Sequence, residues 1–226
     1  MFDLQKPKYK PIVLPRNKKY GNNCWLASGP KVGQRDVVLY SDLEFDHWVT
    51  VETNPNVLTY CEQPLEISYT LNGKLHSTIF DMWILMKDGT ERFVEIKYEK
   101  DLKPDGRSYI RTKRQITTQK EWCEQNGLQH EVITEKDIRA GRFSIDNKLK
   151  MLLNYINHDK PASVDLVKNY MTKQKKAVGD ICTQLKGKCS TYEVLLACQW
   201  MCYSGIASAD LKEQIWGNKM EVWSLE

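Results

Sequence analysis

Residues 77–102 read "STIFDMWILMKDGTERFVEIKYEKDL". Two apolar runs flank Lys87-Asp88-Gly89-Thr90, and Asp-Gly between such runs is a strong hairpin signal. Yet Asp81 interrupts the first run, and Glu95 and Lys97 interrupt the second. Residues two apart on a strand leave the same face, so Glu95 and Lys97 project together. Antiparallel pairing through the turn sets Asp81 against the Glu95 and Lys97 region.

Converging carboxylates repel one another and do not ionise together without a cation. A hard divalent ion, Mg2+ or Mn2+, suits oxygen ligands and keeps waters for reaction. It polarises a phosphate and activates water, while a neighbouring lysine steadies the developing charge. An Asp with Glu-x-Lys is therefore equipped for phosphodiester hydrolysis. Glu-x-Lys alone is also a common same-face salt bridge. The apolar flanks, the Asp at hairpin distance and an upstream Glu44 favour a site over a surface pair.

Upstream, Val37, Tyr40, Ser41, Glu44, Trp48 and Val51 recur at helical spacing. They predict a helix over residues 35–52 with Glu44 on its inward stripe, ended ahead of Pro55. "LTYCEQPLEISYTL" and "KLHSTIFDMWILM" flank Asn72-Gly73, which makes three antiparallel strands with the run after Gly89. Residues 78–86 are apolar on both faces, which predicts a central strand. A helix follows over 108–125, with Ile110, Gln115 or Ile116, Trp122 and Cys123 facing inward. "LQHEVIT" is then a short strand. This order predicts an α/β fold: a mixed sheet flanked by helices. From about residue 145 the pattern turns to short helices and a terminal hairpin around Gly217-Asn218, similar to a winged-helix module. The expected division is a basic N-terminal arm (1–34), a nuclease domain (35–145) and a small, mainly helical domain (146–226). The arm has no clear period and is expected to order only against something else.

The order helix-Glu, strand-Asp, strand-Glu-x-Lys, helix, strand resembles the restriction-endonuclease-like, PD-(D/E)xK nuclease fold. More narrowly, "LYSDLEFDHWVTVETNPNVLTYCEQPLEI" (39–67) resembles the TnsA family, the endonuclease subunit of heteromeric transposases. The matching features are Ser41 to Glu44, Asn54-Pro55-Asn56-Val57, Glu62-Gln63-Pro64, Asp81 and Glu95-Ile96-Lys97. The usual Pro before the Asp is absent, since Phe80 precedes Asp81. The resemblance implies a catalytic set of Glu44, Asp81, Glu95 and Lys97. It implies Mg2+, with Mn2+ substituting, held by Glu44, Asp81, Glu95 and the Ile96 carbonyl. It further implies cleavage at the 5′ ends of a transposon. The partners would be transposon-end DNA, a TnsB-like DDE transposase and a TnsC-like ATP-dependent regulator docked on the C-terminal domain. A stand-alone restriction or repair nuclease and a non-catalytic DNA-binding assembly factor are the rival readings.

The chain has 226 residues and a net charge of +4, unevenly spread. Residues 1–40 hold eight Lys or Arg against two Asp, and residues 100–120 hold seven against two. Such clusters suit a polyanion, with Lys103, Arg107, Arg111, Lys113, Arg114 and Gln119 as candidate DNA contacts. A solvated tail and helix face would account for the same charge. The seven cysteines form no disulfide framework, and Cys182, Cys189, Cys198 and Cys202 lack zinc-knuckle spacing. They read as core residues in a reducing compartment. No apolar run is long enough for a membrane span and no signal peptide is evident, so the expected location is the bacterial cytoplasm, at the nucleoid when active. No G-x-x-x-x-G-K-[ST] occurs, so ATP use falls to a partner.

Overall fold

The computed structural model describes residues 8–14 and 23–226. Residues 1–7 and 15–22 of the expected basic arm lie outside the described residues. The chain divides into two compact units: residues up to Trp48 with Asn56–Ile138, and Val49–Pro55 with Arg139–Glu226.

In the first unit, β1 (Trp25–Gly29) pairs antiparallel with β2 (Arg35–Leu39). The helix predicted over 35–52 therefore starts later, as α1 (Asp42–Glu52). Val37 and Leu39 are fully buried on alternate positions of β2, so their spacing belongs to a strand. Only glycine fits at 29, where a Cβ would collide with the Tyr60 hydroxyl and Val32. The strands that follow are β3 (Val57–Glu62), β4 (Glu66–Leu71), β5 (Lys74–Ile79), β6 (Met82–Met86) and β7 (Glu91–Lys97). Next come α2 (Tyr109–Gln125), β8 (Gln129–Thr134) and α3 (Glu135–Ile138). The main sheet runs β3-β6-β7-β8, antiparallel except for the parallel β7–β8 pair. This is a mixed sheet flanked by helices, the restriction-endonuclease-like arrangement.

The strand expected over 78–86 is broken in two. Glu62 pairs with Met82, whereas Glu66 pairs with Ile79. Three residues, Gln63-Pro64-Leu65, thus oppose two, Phe80-Asp81, which is a β-bulge. Pro64 has no N–H for the ladder, and Gln63 adopts φ +38°. Gln63 N–H still donates to Asp81 O (3.0 Å) and Phe80 N–H to Leu65 O (3.2 Å). Beyond the bulge β4 and β5 form a separate two-stranded ribbon.

Each face of the main sheet takes one helix. Cys61, Trp83 and Phe93 pair across the strands on one face, with Cys123 of α2 and half-buried Trp122 packed on them. Tyr9 meets the Trp83 and Phe93 rings edge-on at 5.2 and 5.5 Å, so this part of the arm orders against its own domain. Tyr60 leaves the opposite face and accepts a 2.6 Å hydrogen bond from Trp48 Nε1 of α1. Ile110 is 73% exposed, not inward as its apolar character suggested. The inner stripe of α2 runs instead through Thr112, Gln119 and Cys123.

The second unit holds α4 (Ser144–Asn157), α5 (Val164–Lys168), α6 (Val178–Gln184) and α7 (Thr191–Ser204). Three short strands, β9 (Lys176–Ala177), β10 (Ala207–Ala209) and β11 (Glu221–Ser224), pair antiparallel in the order β10-β11-β9. The terminal hairpin is joined by residues 210–220 and not by a tight turn at Gly217-Asn218. The buried Asn147 amide donates to the Leu211 and Gln214 carbonyls and accepts from Trp216 N–H, which pins that loop. None of the seven cysteines is in a disulfide, and Cys198 and Cys202 are buried in α7. No helix among the described residues is long and apolar enough to cross a membrane.

Arg35 ties β2 to β3 through two 2.6 Å hydrogen bonds to Glu62, whose side chain is 1% exposed. Removing one partner strands a buried charge, at a cost of about 3–5 kcal/mol. Arg35→Met is therefore expected to shift the urea midpoint strongly down. Arg35→Met with Glu62→Leu should recover most of the loss, and equal instability of the single and double variants would refute the assignment.

Candidate active site

The β6–β7 register pairs Met82 with Val94 and Leu85 with Glu91. One step beyond the ladder, Asp81 comes against Glu95. Asp81 Oδ2 accepts the Ile96 N–H at 2.7 Å, closing the gap that the bulge leaves at the end of β6. The N–H and C=O of one strand residue point the same way, so the Ile96 carbonyl also faces the Asp81 side. Glu95 and Lys97 leave the α2 face of β7, the face of Phe93.

Glu95 is fully buried and held at both oxygens. Oε1 accepts from Lys97 Nζ and from Gln115 Nε2 (2.7 Å), and Oε2 accepts from Gln119 Nε2 (2.8 Å). Burial, then the Asp81 charge, push the Glu95 carboxyl up to about 8. Asp81 is raised by burial against the opposing pull of Lys97 and the Ile96 N–H. Burial draws Lys97 down, but Glu95, Asp81 and Glu44 outweigh it and hold the ammonium above its ordinary value.

Glu44 enters from the first turn of α1. Ser41 and Glu44 act as a helix-start pair: Glu44 N–H donates to Ser41 Oγ, and Ser41 Oγ donates to Glu44 Oε1 at 3.0 Å. Glu44 Oε2 accepts from Tyr40 N–H (3.0 Å) and Gln63 Nε2 (3.1 Å). Burial, then the Asp81 charge, raise Glu44 to about 7. Glu44 thus feels Asp81 and Lys97 through charge and is tied to the Asp81 backbone by way of Gln63.

No group of three His, Cys, Asp or Glu side chains disposed to hold a metal ion is present among the described residues. Lys97 is the positive charge that all three carboxylates feel. The donor chemistry nonetheless fits a hard cation. Buried carboxylate oxygens raised by mutual repulsion are what such an ion relieves.

Residues 54–135 match the family model described as TnsA-like endonuclease N terminal. This segment is a TnsA-like endonuclease domain. The family is one of transposase-type nucleases. The match spans Asp81, Glu95, Ile96, Lys97 and α2, while Glu44 lies ahead of it. No curated protein matches the chain.

Around the TnsA-like site, Lys103, Arg107, Arg111, Lys113 and Arg114 are exposed. Helical spacing separates them. Arg111, Gln115 and Gln119 are four apart and share one stripe, whereas Lys113, Arg114 and Ile110 lie on the outer side. Gln119, expected as a DNA contact, is 0% exposed and directs its amide at Glu95, so it sits behind the carboxylate. Two supporting contacts were not expected from the sequence: Gln63, noted there only within Glu62-Gln63-Pro64, joins Glu44 to Asp81, and His130 Nε2 meets Gln119 Oε1 at 3.3 Å. A glutamine directly before a bulge proline, and Gln115-x-x-x-Gln119 on one helix face, were the available signals.

The pKa shifts predict how stability varies with pH. Glu44 and Glu95 keep protons up to about 7 and about 8 in the folded chain, against 4.5 ordinarily. The folded state therefore binds more protons between those values, so the metal-free protein loses stability as pH rises through this window. Asp81→Asn keeps an acceptor for Ile96 N–H and removes the charge that raises both glutamates. In EDTA at pH 8 it is expected to raise Tm by roughly 2–4 °C per kcal/mol relieved and to flatten the pH dependence. An unchanged or lower Tm would show that the repulsion is absent.

Proposed function

We propose that the protein is a Mg2+-dependent DNA endonuclease subunit of a heteromeric transposase that hydrolyses phosphodiesters at the 5′ ends of a transposon. The observation that carries this reading is the buried meeting of Asp81, at the bulge before β6, with Glu95 and Lys97 of β7 in a TnsA-like domain. Asp81, Glu95 and the Ile96 carbonyl would hold the ion, with Mn2+ as a substitute, and Glu44 would hold it directly or through water. When bound, the ion supplies Lewis-acid polarisation of the phosphate and of the attacking water. Lys97, released from Glu95, donates to the phosphate oxygens as charge builds in line with the leaving oxygen. Glu44 feels the Asp81 charge and is raised to about 7, so it would serve to accept a proton.

Arg111 sits one helical turn from Gln115 on the stripe that leads to Glu95, which suits contact with the phosphate backbone beside the scissile bond. Lys103 and Arg107 precede it on the exposed segment before α2. Residues 146–226 are assigned to a winged-helix-like partner-binding domain, the docking site for a TnsC-like ATP-dependent regulator. A TnsB-like transposase would cut and join the 3′ ends, and the assembly would act in the bacterial cytoplasm.

The test is strand-specific cleavage of transposon-end DNA by this protein with its partner transposase and Mg2+. Cuts at the 5′ ends are expected, and Asp81→Ala or Lys97→Ala should lower the rate by at least about a hundredfold. Efficient cutting of defined sites by the chain alone would support a stand-alone nuclease instead, and full cleavage by Asp81→Ala would support a non-catalytic factor. Arg111→Ala should weaken DNA binding and reduce its salt dependence more than Lys113→Ala does. Equal losses would remove the distinction between the two faces of α2.

A further inference from the structure

Gln119 is a fully buried amide with four polar neighbours. Its Nε2 lies 2.8 Å from Glu95 Oε2, 3.3 Å from Thr78 Oγ1 and 3.4 Å from Ile79 O. Its Oε1 lies 3.3 Å from His130 Nε2. An amide can present either end to a neighbour. Glu95, when ionised, and the Ile79 carbonyl only accept, so the NH2 end must face them. That leaves Oε1 toward β8, where it needs a donor. His130 Nε2 is the group that meets it, so the ring proton belongs on Nε2. The Phe80 ring packs edge-on against His130 at 6.0 Å and sets the imidazole plane. Burial, then the nearby Lys120 charge, push His130 down to about 4, so the ring is neutral at pH 7 and carries a single N–H.

An ionised carboxylate has roughly four acceptor positions on its two oxygens. Lys97 and Gln115 occupy Oε1, and Gln119 occupies one position at Oε2. The direction of the remaining Oε2 position is then set by where Gln119 stands. Partners behind a ligand are what orient it toward a cation.

We propose that His130 fixes the direction of the Gln119 amide and that Gln119, so directed, positions Glu95 to take a divalent cation. This rests on the nuclease reading above. Gln119 and His130 are positioning residues, since neither reaches the substrate side of Glu95. A second, neutral helix residue, Gln115, works from the other oxygen.

The full chain, with Mn2+ alone as the probe, tests the inference by titration calorimetry alongside Tm. His130→Phe removes the donor and keeps the ring against Phe80. It is expected to weaken Mn2+ binding roughly tenfold or more, the usual loss when such a partner is removed. His130→Gln places an amide N–H near the former Nε2 and should return most of the affinity. Wild-type affinity in His130→Phe would overturn the proposal. So would a His130→Gln variant that folds as well as His130→Phe yet binds no better. Nitrogen-15 spectra of the wild-type protein give a measurement free of folding defects. A proton on His130 Nε2 supports the relay, and one on Nδ1 overturns it. A wild-type chain that binds no Mn2+ and cuts no DNA would count against the nuclease reading, while the tautomer would still judge the relay.

Discussion

The hairpin ladder breaks where Gln63-Pro64-Leu65 lie opposite Phe80-Asp81, and the candidate site depends on that break. Had β5 run straight into β6, Asp81 would be one more residue in a regular ladder. The missing N–H of Pro64 and the φ of +38° at Gln63 end the regular pairing there. Asp81 is then free to turn its carboxylate onto the Ile96 N–H, which β6 no longer reaches. Gln63 holds the break together. Its N–H bonds Asp81 O, its side chain bonds Glu44, and its carbonyl accepts from Ile12 of the N-terminal segment. One residue thereby joins a helix start, a strand break and the arm.

The second constraint is electrostatic. Burial raises Glu44, Asp81 and Glu95 together, and each listens to the same ammonium on Lys97. A fold selected only for stability would not bring three carboxylates with raised pKa values under the influence of one lysine. The surrounding structure tolerates it because several donors are held by the fold. Ile96 N–H belongs to β7, the Gln115 and Gln119 amides to α2, and Tyr40 N–H and the Gln63 amide to the start of α1 and the bulge. Such donors need no reorganisation when charge changes nearby.

The legible part of the molecule was the part governed by local rules. Asp88-Gly89 and the two-residue alternation announced β6–β7 and the facing of Asp81 with Glu95 and Lys97. The segment after Lys97 announced α2 and β8. What failed was reading across a change of period. Val37 and Tyr40 lie at helical distance from Glu44, yet Val37 and Leu39 alternate in β2 and the helix begins only at Asp42. The pairing of β1 with β2 is a tertiary fact that spacing alone does not reveal. Asp81 looked like a charge within one long strand because a bulge leaves no mark except Pro64 on the opposite side. Ile110 looked inward because it is apolar, while the inner stripe of α2 is built from Thr112, Gln119 and Cys123. A polar residue stands in that stripe at 119 because it faces the Glu95 carboxylate.

That contact explains why α2 uses glutamines beside Glu95 and an arginine one turn away. A buried lysine or arginine at position 115 or 119 would bond Glu95 more strongly than an amide does. It would also add a second permanent positive charge to a pocket meant to receive a cation, and so oppose it. An amide orients the carboxylate at no cost in charge. A second acid at either position would add repulsion to a pocket whose carboxylates already resist ionising. The neutral donor is the side chain that satisfies both limits. At Arg111 the helix stripe reaches solvent, the carboxylates are a turn away, and the partner to be met is a phosphate. There the balance reverses and a cation is favoured. The Arg111, Gln115, Gln119 sequence along one face therefore grades from attraction of the polyanion to silent support of the ligand, with the spacing of one α-helix separating the two tasks.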